Sequence, residues 1–540
     1  MNFQKLNPDK IITDMTLREK LGQLMMVGFD GQELTPELAE MINKYKVGGI
    51  IYFARNIENP EQVFRLSKEI QRVSLEINNI PALISADEEG GVVTRVNGMT
   101  HMPGLMAIGA TGDYEEAYNA AKATGEQLKY LGINMNLAPV LDVNNNPANP
   151  VIGVRSFGSD PIEVSRFGKE YINGLQETGV VACGKHFPGH GDTSVDSHHD
   201  LPVIEYGYDR LNEVELKPFR EAISAGIDSI MTAHIAFPEL TSEPGLPATL
   251  SRKILTGILR EKLGFEGMII TDCMEMNGIV GTYGTVPAGV MTIQAGSDQV
   301  LVSHDRDKQL EVLKELEKAV NDGRLSEARI DESVKRVLKL KQARLSWDLQ
   351  NEFSGDEFLN MLEDGDSIAR NISAKAITVL QDQNNIFESP LDKGKELWLI
   401  NCSGDISSPV ETSPDNSDKG SKSQLAWELS KKGFTVKEYS GLTNEFFKDK
   451  IYEKRDLEIV VITRDIVKNK EQHKLIRGLL DAGLKPSVIS QRNPYELRFL
   501  NDLPVLTTYD YSPNHARPLA DILGGNRQAE GKLPVEILEV

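Results

Sequence analysis

Residues 179–200 of this 540-residue chain read GVVACGKHFPGHGDTSVDSHHD, a short apolar run followed by a polar stretch. The run 180–183 is flanked by glycines, which favours a short buried strand. Pro188 and Gly189 interrupt any regular element, so the residues after Gly184 are predicted to form a loop. This stretch holds four of the nine histidines and three aspartates, a density of proton-transferring groups that is rare in ordinary structural sequence. Because α/β enzymes often carry their chemistry on loops at strand ends, the stretch predicts an α/β fold with a reactive site.

The same alternation of apolar runs and helical patterns extends from about residue 20 to residue 345. Eight runs are typical of buried strands, and they lie at 24–29, 49–53, 82–86, 134–140, 180–184, 228–233, 268–271 and 299–302. Helix start signals stand between most of them, such as Thr16 followed by Glu19, and Pro60. Eight such units predict an N-terminal (β/α)₈ TIM-like barrel, with a doubly wound open sheet as the alternative.

A second alternation begins near residue 375, after a polar stretch. Its candidate strands are 377–380, 396–400, 435–439, 458–462, 487–490 and 505–508. We therefore expect a barrel domain over residues 1–346, a linker over 347–374, and a C-terminal α/β sandwich domain over 375–540.

The bulk composition narrows the class of protein. A formal net charge of −21 argues against nucleic acid and against an anionic membrane surface as partners. The three cysteines are far apart, which predicts neither a disulfide framework nor a CxxC metal site. The first residues lack an apolar signal core, and no apolar run is long enough to cross a membrane. We expect a cytoplasmic protein, with secretion left open, and the sequence does not indicate an oligomeric state.

Several predicted strands end in ionisable residues. The third runs into Asp87, the fourth leads to Asp142, the fifth to Lys185, the sixth to His234 and the seventh to Asp272. A single aspartate in such a place is often a helix cap. In a barrel, however, all these strand ends meet at one rim, which favours a shared site.

The motif KHFPGHG at 185–191, continued by DSH at 196–198, resembles the signature of glycoside hydrolase family 3, closest to its β-N-acetylglucosaminidase branch. Further segments that agree with this branch, in order and spacing, are DEEGGVVTR (87–95), APVLD (138–142), RSFG (155–158) and ITDCMEM (270–276). Near the end of the chain, NPY (493–495) and GKLPV (531–535) look like the second domain of the family. The resemblance therefore covers nearly the whole chain.

The resemblance implies a retaining exo-β-N-acetylhexosaminidase that works without metal or organic cofactor. Asp272 would be the nucleophile that forms a covalent glycosyl-enzyme. His198, paired with Asp196, would be the general acid and then the general base. Residues two apart in an extended loop project to the same side, so Asp196 could orient the imidazole and stabilise its protonated form. His199 would then point away, as a supporting or packing residue, and His190 would shape the loop.

Sugar-binding residues carry over from the same resemblance. Asp87 would accept hydrogen bonds from hydroxyls at the far edge of the non-reducing sugar. Arg155, Lys185 and His186 would donate to the remaining hydroxyls, with a structural ion pair as the alternative for Arg155. The implied substrates carry a terminal β-linked N-acetylglucosamine, as peptidoglycan fragments and chitooligosaccharides do.

Four other functions remain open at this point. A metal-dependent hydrolase would use the histidines and aspartates of 186–198 as ligands, although Pro188 prevents the helix that common zinc motifs need. A phosphorylase or a β-glucosidase of the same family would use the same residues on a different acceptor or sugar. A non-catalytic carbohydrate-binding protein would not need the nucleophile and the aspartate–histidine pair.

Overall fold

The computed structural model describes residues 3, 6–345, 351–382, 385–388, 390–402, 423–440, 456–466, 468–500 and 503–537, with the side chain of residue 440 left out. Its first unit is an eight-stranded parallel sheet. The strands are β1 (Met25–Val27), β2 (Gly49–Tyr52), β3 (Leu83–Ala86), β4 (Met135–Asn136), β5 (Val181–Phe187), β6 (Ser229–Thr232), β7 (Met268–Ile270) and β8 (Val300–Val302). β1 pairs with β8, and a bridge from Ile270 to Gln299 links β7 to β8, so the sheet closes into the predicted barrel.

Helices surround this barrel because each covers the apolar face of the sheet. They are Pro8–Asp14, Leu17–Gln23, Pro36–Asn43, Pro60–Asn78, Leu105–Ala110, Tyr114–Tyr130, Pro161–Glu177, Tyr208–Glu213, Leu216–Ser224, Pro238–Thr241, the π-helix Lys253–Lys262, Asn277–Val280, Thr285–Ala295, Arg306–Asn321 and Glu327–Arg344. The start signals read from the sequence are confirmed: Thr16 and Glu19 form a capping box, and Pro60 is the first helical residue behind its cap Asn59.

Two strands differ from their predicted bounds. β4 is much shorter than 134–140, because Pro139 has no backbone N–H to give to a ladder. The prediction of a loop directly after Gly184 is wrong. β5 continues to Phe187, since the backbone of 185–187 finds partners on both sides: Leu141 donates to the carbonyl of Lys185, and Ala233 donates to that of Phe187.

The second unit is a six-stranded sheet with the order β11-β10-β12-β13-β14-β9, in which β9 alone runs antiparallel. Its strands are β9 (Thr378–Gln381), β10 (Glu396–Asn401), β11 (Thr435–Ser440), β12 (Leu457–Thr463), β13 (Ser487–Ser490) and β14 (Val505–Thr507). The helices on its two faces are Gln424–Lys431, Lys470–Asp481 and Ala516–Leu523, with single turns at Pro494–Phe499 and Pro513–His515. Apolar clusters on both faces make this the α/β sandwich that the sequence predicts.

The polar stretch interpreted as a linker is described from residue 351 onward, and most of it is the helix Gly355–Ala376. Ser354 caps this helix, and its buried Phe358 and Ile372 join the apolar core of the barrel. The helix has a polar outer face, so its composition resembles that of a linker although one side is packed. None of the described helices is long and apolar enough to cross a membrane.

Candidate active site

A cavity of about 770 Å³ opens at the carboxyl ends of the barrel strands. Six of the seven predicted site residues line it: Asp87, Arg155, Lys185, His186, His198 and Asp272. The seventh, Asp196, lies behind His198 and is hydrogen-bonded to it. The rim predicted from the strand ends is therefore one concave site, of the size that holds a small-molecule ligand.

Three charged side chains of one cavity wall, Asp87, Lys185 and Arg155, form a group with Glu89, which does not line the cavity; we call these four residues the ionic tetrad. The Lys185 ammonium lies 2.6 Å from Asp87 Oδ1 and 2.6 Å from Glu89 Oε1. The Arg155 guanidinium donates from Nε and Nη2 to the two carboxylate oxygens of Glu89, each at 2.8 Å. Two acids and two bases give the tetrad no net charge, which allows three of its members to be almost fully buried.

The tetrad fixes the charge of each member. Burial on its own would raise the pKa of Glu89, but Arg155 and Lys185 lower it far below its usual range. Burial also opposes the charge of Lys185, yet the two carboxylates keep its pKa raised. Glu89, Lys185 and Arg155 are therefore ionised at neutral pH, and Asp87, whose Oδ1 accepts from Lys185, lines the cavity.

Arg155 combines the two roles that the sequence left open. It is a structural ion pair with Glu89, and a third N–H donates to the carbonyl of Val151 at 3.1 Å. It also lines the cavity, with two of its five N–H groups left for a ligand.

His186 is held from behind by a buried carboxylate. Asp142 Oδ2 lies 2.8 Å from His186 Nδ1, and Asp142 Oδ1 accepts the backbone N–H of His190 at 2.7 Å. Burial would raise the pKa of Asp142, but His186 lowers it, so the carboxylate stays ionised. This contact leaves Nε2 as the nitrogen of His186 that can face a ligand in the cavity.

His190 is almost fully buried and lines the cavity. Its ring nitrogens lie 2.8 Å from Thr193 Oγ1 and 3.0 Å from Ser197 Oγ. Burial lowers the pKa of His190 to about 4, so the ring is neutral. Both contacts lie within the loop 188–203, the histidine loop hereafter, and they place His190 where it shapes that loop.

Asp272 follows β7 and is held at the base of the cavity. Its Oδ1 accepts the backbone N–H of Cys273 at 2.7 Å. Among the described residues no donor is in range of Oδ2, which is therefore the oxygen free to meet a ligand. Burial would raise the pKa of Asp272, but three surrounding imidazoles, His234 foremost, lower it and keep the carboxylate ionised.

Asp196 and His198 are joined by two hydrogen bonds. Asp196 Oδ1 lies 2.7 Å from His198 Nδ1 and accepts the backbone N–H of His198 at 2.9 Å. Burial would raise the pKa of Asp196, but these bonds lower it to about 2. The His198 side chain is 27% exposed, and its ring lines the cavity. Asp196 thus fixes which edge of the imidazole faces the cavity.

The backbone around this pair is not the extended segment that the sequence predicts. The N–H groups of His199 and Asp200 both donate to the carbonyl of Asp196, which makes residues 196–200 a tight turn. An aspartate side chain that bonds the N–H two residues ahead favours such a turn over an extended chain. His199 is exposed and does not line the cavity, so it is not the packing residue that we expected.

Among the described residues, no group of three or more histidine, cysteine, aspartate or glutamate side chains could hold a metal ion. Two histidines of the site are each paired with one carboxylate, His186 with Asp142 and His198 with Asp196.

Comparison with known proteins gives the family. The model of the glycosyl hydrolase family 3 N-terminal domain matches residues 16–340. The chain belongs to glycosyl hydrolase family 3. It is 32% identical to beta-hexosaminidase A of Pseudoalteromonas piscicida in an alignment 571 positions long, which covers 93% of this chain and 91% of that protein. A family 3 β-N-acetylglucosaminidase from Paenibacillus sp. has a solved structure that is 40% identical, with a TM-score of 0.88, covering 97% of this chain and 99% of that one. The chain is thus a glycosidase, as the resemblance implied.

Sequence reasoning missed the part that Glu89 plays in this family 3 site. Glu89 lies two residues after Asp87, so in an extended segment both side chains face the same way. Lys185 and Arg155 together bring two positive charges to the rim, and Asp87 offers one negative charge. A count of charges at the strand ends would have pointed to Glu89 as the missing partner.

His234 and Arg95 are two further residues whose place the sequence did not settle. Both ring nitrogens of His234 are engaged, at 2.8 Å from Thr249 Oγ1 and 2.9 Å from the carbonyl of Cys273. His234 therefore positions the chain next to Asp272. Arg95, the last residue of the motif at 87–95, also lines the cavity.

Proposed function

We propose that this family 3 glycosidase is a retaining exo-β-N-acetylhexosaminidase that removes terminal β-linked N-acetylglucosamine. The observation that carries the proposal is that an ionised carboxylate, Asp272, and an oriented imidazole, His198, line the same cavity as the ionic tetrad. A nucleophile, a proton donor and a group that binds hydroxyls are the three parts that glycoside cleavage requires.

The ionic tetrad and His186 bind the non-reducing sugar. Asp87 accepts hydrogen bonds from hydroxyls, while Lys185 and Arg155 donate to neighbouring ones. These charge-assisted bonds are stronger than neutral ones, and the tetrad is already assembled before the sugar arrives.

Bond cleavage takes two steps. Asp272 Oδ2 attacks the anomeric carbon and forms an ester to it, while protonated His198 gives its proton to the departing glycosidic oxygen. Neutral His198 then takes a proton from water as that water attacks the same carbon and breaks the ester. The proton returns to the imidazole, Asp272 is free again, and two inversions restore the β configuration.

A histidine suits the acid role beside an anionic nucleophile. A second carboxylate would place another negative charge next to Asp272, whereas His198 becomes neutral after it donates. Asp196, ionised because its pKa is about 2, holds His198 by Nδ1 and leaves the other ring nitrogen to the glycosidic oxygen. Preference for the N-acetyl group, and for peptidoglycan fragments or chitooligosaccharides, is inferred from the family 3 relatives. Cytoplasmic location stays a prediction.

The decisive experiment is product stereochemistry. Proton NMR during early hydrolysis of an aryl β-N-acetylglucosaminide should show the β anomer of the sugar first. An α product would overturn the ester intermediate. Running the reaction with phosphate tests the phosphorylase alternative, since that activity would release a sugar 1-phosphate.

A substitution tests the nucleophile directly. Asp272→Asn should lower turnover by several orders of magnitude, because an amide oxygen is a poor nucleophile. Circular dichroism should match that of the wild-type protein, and Asp200→Asn, at an exposed acid of the histidine loop, serves as the matched control. Wild-type turnover in Asp272→Asn would contradict the assignment.

A further inference from the structure

The second domain packs against the rim of the barrel that carries the sugar-binding residues. The two domains share one buried apolar cluster, made of Val92, Val93, Met106, Ala107, Ala110 and Val154 from the barrel and Ala376, Tyr495, Tyr509 and Val535 from the C-terminal part. Val154 directly precedes Arg155, and Val92 follows the segment of Asp87 and Glu89. Among the described residues, none from the second domain lines the cavity itself.

One buried polar contact crosses this interface at the loop after β3. Asp510 Oδ2 accepts the backbone N–H of Gly104 at 2.9 Å. Asp510 Oδ1 is held by His515 Nε2 at 2.8 Å and by the N–H of Ser512 at 2.8 Å. Asp510 is thus fixed from within the second domain and offers its other oxygen to the barrel.

The segment that Asp510 holds is bonded in turn to the loop of the ionic tetrad. Gly91 donates to the carbonyl of Met102 at 2.8 Å, and the carbonyl of Gly91 lies 2.9 Å from His101 Nε2. A Cβ atom on Gly91 would come within 2.6 Å of the Gly104 Cα. Gly91 is four residues beyond Asp87, so a shift of Gly104 is passed to the Asp87 loop by direct contact.

A second polar contact reaches the loop after β4. Asn144 Nδ2 donates to the hydroxyl of Tyr495 at 2.8 Å, and Tyr495 is 2% exposed. Asn144 lies two residues after Asp142, the carboxylate that holds His186. The two contacts therefore support both loops that place the sugar-binding groups.

We propose that Asp510 and Tyr495 are positioning residues, through which the second domain sets the geometry of the sugar-binding side of the cavity. This inference rests on the proposed function, because it assigns a role within that same site. It makes the second domain a determinant of affinity for the non-reducing sugar. Asp272 lies on the loop after β7, and the pair Asp196–His198 lies on the loop after β5, whose Gly191 packs against Val143 and Asn144.

Asp510→Ala and Tyr495→Phe test this role. Each removes one hydrogen bond at the interface, so each should weaken binding of a non-hydrolysable thioglycoside of N-acetylglucosamine by about 3- to 10-fold, which corresponds to about 0.5–1.5 kcal/mol. The tetrad binds hydroxyls remote from the reacting carbon, equally in ground and transition states. In Asp510→Ala, whose contact is with the loop after β3, the KM should therefore rise while kcat stays within about twofold of wild type.

His515→Ala is the matched control for Asp510→Ala. It removes the same contact between residues 510 and 515 within the second domain but leaves the carboxylate of Asp510 to accept from Gly104. It should lower the melting temperature as Asp510→Ala does, with the thioglycoside affinity unchanged. Hydrogen exchange gives a second readout: peptides covering 87–104 should exchange faster in Asp510→Ala than in His515→Ala.

The outcomes separate cleanly. Equal affinities in Asp510→Ala and His515→Ala, or a wild-type affinity in Tyr495→Phe, would overturn the positioning role. If Asp510→Ala does not fold, Tyr495→Phe decides alone, since it removes a single hydroxyl. A wild-type protein that neither binds the thioglycoside nor cleaves an aryl β-N-acetylglucosaminide would instead refute the proposed function, before any variant is compared.

Discussion

The ionic tetrad and the histidine loop, on two sides of the same cavity, differ in how their side chains are held. Asp87 and Glu89 come just after β3, Lys185 lies within β5 and Arg155 lies in the loop after β4, and each is fixed by an ion pair to a different segment. The histidine loop is anchored near its ends, where Asn149 Nδ2 donates to the carbonyl of His190 at 2.8 Å and Gly278 donates to that of Ser197 at 3.1 Å. Between these anchors, Ser194 and Val195 are exposed.

This difference matches the two tasks that we propose. Binding hydroxyls requires fixed donors and acceptors, and burial in a neutral group provides them. Proton transfer requires a group that meets two different oxygens in succession, first the leaving oxygen and then water. A ring on a loop that is tied down on either side of an exposed tip suits that requirement.

The largest effect is expected on the side of the histidine loop. His198→Ala should reduce cleavage of a natural disaccharide by about 10²- to 10⁴-fold, the usual contribution of general acid catalysis. Substrates with an activated aryl leaving group should lose much less in the first step, because they depart without a proton. Rates for both substrates in His198→Ala and in the exposed neighbour variant His199→Ala measure this. Equal losses for both substrates would remove the acid role.

A substitution in the ionic tetrad is expected to have a smaller effect, which lowers both the free energy of unfolding and the affinity for the sugar. Glu89→Gln leaves two buried cations with a single carboxylate, and breaking a buried pair in this way costs about 3–5 kcal/mol. Urea unfolding should show this loss, and the KM should rise. The exposed Glu317, 3.9 Å from Arg18, provides the control Glu317→Gln, which should be neutral. Stability of Glu89→Gln equal to that of the control would mean that the tetrad is not the rigid side of the site.

The smallest effect is expected at Glu88, which lies between Asp87 and Glu89 in the sequence and does not line the cavity. Its Oε2 accepts the N–H groups of Arg95 and Val96, and burial raises the pKa of Glu88 from 4.5 to about 7. Between these two values the unfolded chain has already released the proton that the folded chain keeps. Stability from this group is therefore complete below pH 4.5 and is lost as the pH rises to about 7.

Glu88→Gln removes that dependence. Relative to wild type, the variant should gain stability between pH 4.5 and about 7 and hold the gain above it. Urea unfolding of both proteins across this pH range measures the difference. If the difference in free energy of unfolding between the two proteins did not change with pH, Glu88 would have the same pKa in the folded and unfolded chains.

Much of the fold follows from the sequence because buried parallel strands are short apolar runs with few alternatives. All eight barrel strands overlap their predicted positions, and β5 is longer than predicted because the polar residues Lys185 and His186, with Phe187, continue the strand between two neighbouring segments. The helix Gly355–Ala376 escaped prediction as a packed element because its polar outer face dominates its composition. Strand ends are poorly defined in sequence when functional polar residues extend them.

The site was predictable as far as the motifs reach. They supplied Asp272, His198 and the residues of the rim, but not the contacts between them. Whether Arg155 binds a ligand or Glu89 depends on distances between separate strands, which no local pattern records. The turn at Asp196 depends on one side-chain bond that competes with an extended backbone.

The charge balance of the tetrad also sets what kind of sugar suits the pocket. Its acids and bases already balance one another, so a uronic acid or an unacetylated amino sugar would place an extra charge against a wall with no net charge. Neutral hydroxyls, by contrast, would donate to one member and accept from the next. We therefore expect this wall to favour the uncharged edge of a sugar over an ionised one.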